Sequence, residues 1–318
     1  MFGFIKYKVY KLVSNLLNEL GYHLVSHIQM KSLVDFSANI LKAEQGNNEA
    51  INEIDSIIFS KDRAMQLHAF LASYIEMASN RGRIYILYTY SNERHKKSYE
   101  DLIELFSTQD FVFVKETQFR PQLIEIIEKS NAEKILFYVD DMIFTHKIDY
   151  NILKTIDTTS AILSISRGKD MDYSIVLEKK LSLPAFTKLS NNLEQFKWNY
   201  SDIYSDWTYP LGISGYMYGR TEIVSMFKAI NFKAPNSLES GMQLFLPYFK
   251  NRDGLCTEFA SCTCVHANLV QTEGKNPVLG TFSIDQLLDL WEKGKRIDLK
   301  EFYNKPMQIT QIQKYTFI

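Results

Sequence analysis

The sequence predicts an α/β fold in which a parallel sheet is covered by helices on both faces. Two observations predict it. Between residues 56 and 139, short apolar runs alternate with segments of helical period. Four such strand–helix steps in succession bury their apolar faces most simply as a parallel sheet with crossover helices. The chain has 318 residues and is 46% hydrophobic, enough for a substantial core.

The elements follow in order. Ile5, Val9, Leu12, Val13, Leu16, Leu17 and Leu20 recur at helical spacing, and a second helical stretch covers about Leu24 to Leu41. The polar run from Glu44 to Glu49 reads as a linker, so residues 1–50 form a helical extension. Ser56–Phe59 is a buried strand, followed by a helix from about Ala64 to Ser79. Arg83–Thr89, Phe111–Val114 and Lys134–Val139 are the next strands. Helices fall at about His95 to Phe106 and from Pro121, a good first-turn residue, to Lys129. Later segments are less regular. Ala161–Ser166 and Tyr216–Tyr218 read as strands, Met171–Lys188 as a hairpin or loop, and Glu239–Phe249 as a helix. Ser283 is a good N-cap for a tail helix reaching Lys293. The main domain is expected over 51–275 and a helical tail over 276–318.

Composition excludes several classes. A net charge of −1 provides no basic field for a nucleic acid backbone. Three cysteines, Cys256, Cys262 and Cys264, argue against a disulfide framework and for a reducing compartment. There is no signal peptide and no apolar run long enough to span a bilayer, so a cytoplasmic location is expected. Residues 1–20 allow two readings. Phe2, Phe4 and the leucines enter a headgroup zone while Lys6, Lys8 and Lys11 meet anionic lipid, a peripheral site on the inner face of the plasma membrane. Alternatively the stripe packs on the main domain or on a second subunit of a homodimer, which Asn15, Asn18 and Glu19 favour by diluting the basic face. No Gly-x-Gly-x-x-Gly fingerprint or Gly-Lys-Ser/Thr loop is present, which disfavours dinucleotide oxidoreductases and P-loop enzymes.

Five segments carry chemistry. Asp140 and Asp141 follow the fourth strand, at the sheet edge where ligands of parallel sheets gather. Adjacent carboxylates repel unless a cation or solvent neutralises them, so the pair reads as a Mg²⁺ or Mn²⁺ site or as a solvated turn. Ser60, Asp62 and Arg63 follow the first strand. They read as an anion- and nucleotide-binding turn, or Ser60 or Asp62 as an ordinary helix cap. Asp206 to Tyr216 combines Trp207 with Gly212 and Gly215, which reads as a sugar-stacking wall, as a core Trp beside a tight turn, or as both at once. Asn236 and Glu239 have capping-box spacing. Cys262, Cys264 and His266 share one face of a strand, so structural zinc is conceivable, although no fourth ligand is evident.

Phe-Ser-Lys-Asp-Arg-Ala-Met-Gln-Leu after the first strand, with Val-Asp-Asp-Met-Ile-Phe after the fourth, resembles bacterial GT-A glycosyltransferases over about residues 55 to 270. The resemblance implies a GT-A fold, a Rossmann-like mixed sheet, and transfer of a sugar from a nucleotide-sugar, a UDP-sugar being expected, to a saccharide or lipid-linked acceptor in cell-surface polysaccharide synthesis. It assigns Asp62 and Arg63 to the nucleotide, Asp140 and Asp141 to Mn²⁺ or Mg²⁺ and the diphosphate, and His266 to the same metal. It makes Glu239 the base of an inverting reaction, with Asp206 second. The acids here are adjacent rather than in the usual Asp-x-Asp spacing, which leaves open which of them touches the metal. A sugar-phosphate nucleotidyltransferase is the rival enzyme, and a non-catalytic carbohydrate-binding protein of the same fold the rival of another class.

Overall fold

The computed structural model describes residues 25–44, 50–174, 178–198, 205–265, 282–309 and 315–318, with Val13, Leu17 and the backbone of 311–312 besides. The stripe from Ile5 to Leu20 otherwise lies outside the described residues, as does His266.

The strand–helix alternation is present. β1 (Ile51–Lys61), β2 (Ile84–Thr89), β3 (Phe111–Lys115) and β4 (Ala132–Val139) alternate with α2 (Ala64–Met77), α3 (Glu93–Leu105) and α4 (Phe119–Lys129). A helix before them, α1 (His27–Glu44), belongs to the N-terminal stretch. β1 lies between β2 and β4, parallel to both, and β3 is parallel to β2. β1 extends beyond its apolar run on both sides, with Asp55 and Ser60 in the strand buried although polar.

The second half turns the sheet mixed. β5 (Met142–Phe144) leaves it at once, whereas β6 (Ala161–Gly168), β7 (Thr187–Lys188), β8 (Glu194–Phe196), β9 (Tyr216–Gly219) and β10 (Asp253–Thr257) complete it. The nine-stranded order is β7-β8-β10-β6-β9-β4-β1-β2-β3. β9 runs antiparallel to both β4 and β6, so the parallel run of the first four strands continues into a mixed sheet, as the resemblance implied. β11 (Cys262–Val265) pairs antiparallel with β5, forming a second small sheet with the strand at 311–312.

Apolar clusters cover both faces of the sheet. On one face α5 (Arg220–Ala229) packs against β4 and α4. α1 closes over α5, with Phe36 fully buried and its ring centroid 5.2 Å from Phe245. Asn39 Nδ2 donates to Ser225 O at 3.2 Å. The helix expected over 239–249 is broken. α6 (Pro235–Met242) gives way to a 3₁₀ turn and a short helix at Leu246–Phe249, with Pro247 in its first turn. The tail helix α7 (Ile284–Glu292) is capped as its sequence predicts, with Ser283 Oγ accepting from Gln286 N and Gln286 Oε1 from Ser283 N. It docks on α2 and α3, where Arg94 reaches Asp289 and Glu292. The tail therefore lies on the half that carries the first strand's loop. Among the described residues no helix is long and apolar enough to cross a membrane.

Candidate active site

Register builds the site. Phe59 is level with Val139 across the β1–β4 pair, so Ser60 and Asp140 emerge side by side at the carboxyl edge. Ser60 Oγ donates to Asp140 Oδ2 at 2.8 Å, and Lys61 N approaches the same oxygen at 3.4 Å. Asp140 Oδ1 and Asp141 Oδ2 each lie 3.0 Å from Arg63 Nη1. Ser60, Arg63, Asp140 and Asp141 are all buried. Tyr99, from α3, completes a chain of donors. Arg63 N donates to Tyr99 OH at 3.3 Å, and the phenol lies 2.6 Å from Ser60 Oγ, which passes its own proton toward Asp140.

The electrostatics follow from burial. Desolvation pushes the Asp140 carboxyl up, against the pull of Arg63. Burial alone would lower the Arg63 pKa, but Asp140 and Asp141 together raise it, so the guanidinium stays charged. A buried ion triad of this kind is weak as a source of stability, because desolvation offsets the attraction. Asp140 is engaged on both oxygens, whereas Asp141 takes Arg63 through Oδ2.

Asp62 has a different first duty from the one expected. Its φ is +55°, in the left-handed region that Asp tolerates, and its Oδ1 accepts from Ser91 N at 2.7 Å. It ties the loop after β1 to the loop after β2. Neither Ser60 nor Asp62 caps α2, whose N-cap is Arg63 with no side-chain cap bond. Asp62, Arg63, Met65 and His95 line a shallow recess closed on its other side by Leu287 and Trp291 of α7.

A second cluster gathers Glu239, Arg167 and Asp206. Glu239 is not the capping residue that its spacing suggested. Pro235 opens α6, and the helix start is held by Ser237 Oγ, which accepts from Ala234 N at 3.0 Å and Lys233 N at 3.1 Å. The difference arises because the helix begins at Pro235, which places Asn236 inside it. Glu239 instead accepts a backbone hydrogen bond from Ile213, and burial pushes its carboxyl up to about 7 although Arg167 pulls it down. Asp206 opens a 3₁₀ turn, Asp206–Thr208. Its Oδ1 lies 3.7 Å from Arg167 Nη2, and its buried Oδ2 has no hydrogen-bond partner among the described residues.

Arg167 and Tyr99 are the residues the sequence reading missed. Arg167 had a signal, a lone cation at the end of the apolar run Ala161–Ser166. Tyr99 had none, since a tyrosine on a helix's inward face looks like core. The Cys264 thiol of β11 is pushed up, by burial first and then by Asp141, against the pull of Arg167 and Arg63. Val265 N donates to Asp141 O at 2.5 Å, so the strand preceding His266 is registered on the acidic pair.

Two expectations resolve as structure. Trp207 is 1% exposed and packs edge-on against Phe196, with a ring separation of 5.0 Å, so it is a core residue and not a sugar-facing wall. Gly215 has φ +81°, and a Cβ there would meet Ser166 at 3.1 Å. The close approach expected of these glycines is therefore made by the protein's own chain. The three cysteines are free, and no group of three or more His, Cys, Asp or Glu side chains is placed to hold a metal among the described residues. The acidic pair still suits a hard divalent cation, because such ions take one or two carboxylates and complete their shell with water and substrate phosphates.

No protein-family model matches the chain. Over 291 residues it is 26% identical to the bifunctional glycosyltransferase pgtA of Dictyostelium discoideum. The chain is similar to a glycosyltransferase over most of its length. The match takes in 81% of this chain but spans only 38% of that relative. It carries the glycosyltransferase part of the resemblance and does not bear on the bacterial part. Among solved structures, GalNAc-T7 with UDP, GalNAc and Mn²⁺ matches at TM-score 0.44 and 10% identity, covering 75% of this chain and 47% of that one. S. aureus TarS in complex with UDP-GlcNAc matches at TM-score 0.42 and 13% identity, covering 70% and 60%. At these scores the two likenesses carry no functional argument.

Proposed function

We propose that this chain transfers a glycosyl group from a nucleotide-sugar, a UDP-sugar in the first instance, to a hydroxyl of a saccharide or glycolipid acceptor. The observation that carries the reading is the buried contact of Ser60 and Arg63 with Asp140 and Asp141, about eighty residues apart in sequence, at the carboxyl edge of adjacent parallel strands. The similarity to a glycosyltransferase supports it.

Asp141 would be the first ligand for a divalent cation, Mn²⁺ or Mg²⁺, with Asp140, whose Oδ2 is held by Ser60, and His266 as further ligands. When bound, the cation supplies positive charge to the departing diphosphate. Arg63 offers a fork to the same phosphates. Glu239, with its carboxyl raised to about 7, takes the acceptor's proton near neutral pH as that oxygen attacks the anomeric carbon, giving inversion. Asp206 and Arg167 position the acceptor side. The acceptor class suggests a role in cell-surface polysaccharide synthesis, with membrane contact through residues 1–20.

The test is product analysis with a panel of UDP-sugars and Mn²⁺. Release of nucleoside diphosphate with glycosylated acceptor is expected, whereas pyrophosphate release would identify the nucleotidyltransferase reaction, and sugar binding without turnover a non-catalytic protein. Asp141→Asn should fold normally and lose Mn²⁺-dependent donor hydrolysis; hydrolysis at the wild-type rate would remove Asp141 from the metal.

A further inference from the structure

The acidic pair already has its cation. Arg63 Nη1 stands 3.0 Å from an oxygen of each carboxylate, and the three side chains are only 9%, 5% and 11% exposed. Two adjacent buried carboxylates repel unless a positive charge or a proton offsets them, and the Arg63 guanidinium supplies that charge. We propose that Arg63 is an exchangeable internal cation, competing with a divalent metal for the Asp140 and Asp141 oxygens and turning to the donor's diphosphate once displaced. This rests on reading the pair as a divalent-cation site.

Three features of the surroundings fit an exchange. A guanidinium and a divalent ion repel strongly where water screens little, so both cannot hold the same oxygens at once. The Arg63 backbone is anchored apart from its side chain, through the amide bond to Tyr99 OH and the start of α2 at Ala64. The turn therefore survives when the side chain leaves. Asp140 also keeps Ser60 Oγ when the guanidinium departs. The carboxylate that loses most is Asp141, the one named above as first metal ligand. Exchange also gives an order to events. Without metal, the fork that would grip a diphosphate is tied to the acids, so metal entry prepares the phosphate site.

The experiment is Mn²⁺ titration of the full chain, read by electron paramagnetic resonance, with thermal unfolding in the presence and absence of Mn²⁺. Arg63→Met should bind Mn²⁺ about tenfold or more tightly than wild type, the equivalent of one competing charge-assisted hydrogen bond. It should also gain the larger rise in Tm. Adding Asp141→Asn should abolish both effects. Equal or weaker Mn²⁺ binding in Arg63→Met overturns the competition while leaving the pair as a metal site. Absence of Mn²⁺ binding in every cooperatively melting variant removes the metal reading and the proposal with it. Should Arg63→Met fail to melt cooperatively, Arg63→Lys replaces it, because an ammonium is more strongly hydrated and a weaker internal competitor. Its Mn²⁺ affinity should also exceed wild type, and no gain would overturn the proposal.

Discussion

Glu239 should set the protein's pH dependence twice, in opposite senses. Its carboxyl is raised from 4.5 to about 7, by burial first. The folded state therefore holds a proton that the unfolded chain releases. For such a group the stabilisation is complete below the unfolded value and is lost as pH rises toward the folded one. Each pH unit in that window is worth about 1.4 kcal/mol. Glu239 alone should thus remove about 3 kcal/mol of stability between pH 4.5 and pH 7, with little further change above. Glu239→Gln keeps an oxygen for the Ile213 amide and removes the titration. Urea denaturation of both proteins from pH 4.5 to pH 8 measures the difference. The variant's advantage should grow by about 3 kcal/mol across the window and then level off. Activity should move the other way, with wild-type transfer rising with pH around a midpoint near 7 and the variant losing transfer while retaining donor binding. Parallel stability profiles would refute the burial argument, and undiminished transfer would refute the role as base.

Two further outcomes test the scaffold around this carboxylate. Gly215→Ala should cost about 1–3 kcal/mol in chemical denaturation, because the position combines a left-handed φ with a close approach to Ser166; a wild-type midpoint would show that the loop relaxes freely. Ser237→Ala should cost about 1 kcal/mol by the same measurement, since the hydroxyl serves the amides that precede α6. An unchanged midpoint there would return the cap to solvent.

Much of the fold was legible because its strands are buried on both faces. Apolar runs such as Ile57–Phe59 and Ile135–Val139 announce themselves, and the helices between them carry the complementary period. The second half was less legible for the opposite reason. β7 and β8 have only two and three residues, too few for a period to show. The direction of β9 depends on a long excursion after β6 that no local pattern encodes. Glu239 illustrates a different limit. Its spacing from Asn236 matched a capping box, yet the Pro at 235 had already decided where the helix begins. Arg167 was overlooked because a charge at a strand end has many uses. Its role follows from which strand ends lie beside it.

The cluster of Ser60, Arg63, Asp140 and Asp141 is, in the end, a consequence of register. Ser60 meets Asp140 only because Phe59 lies opposite Val139 on neighbouring parallel strands. Adjacent parallel strands put their carboxyl ends at one edge, so two polar turns far apart in sequence are delivered to the same place. A slip of one residue would send Asp140 to the opposite face and leave Arg63 buried without its acids, a loss of about 3–5 kcal/mol for a broken buried pair. The sheet core and the acidic cluster therefore select the same register. The apolar residues of β1 and β4 hold the strands level, and the ion triad makes the misaligned alternative costly. A cluster that adds little net stability can in this way help specify the geometry on which its chemistry depends.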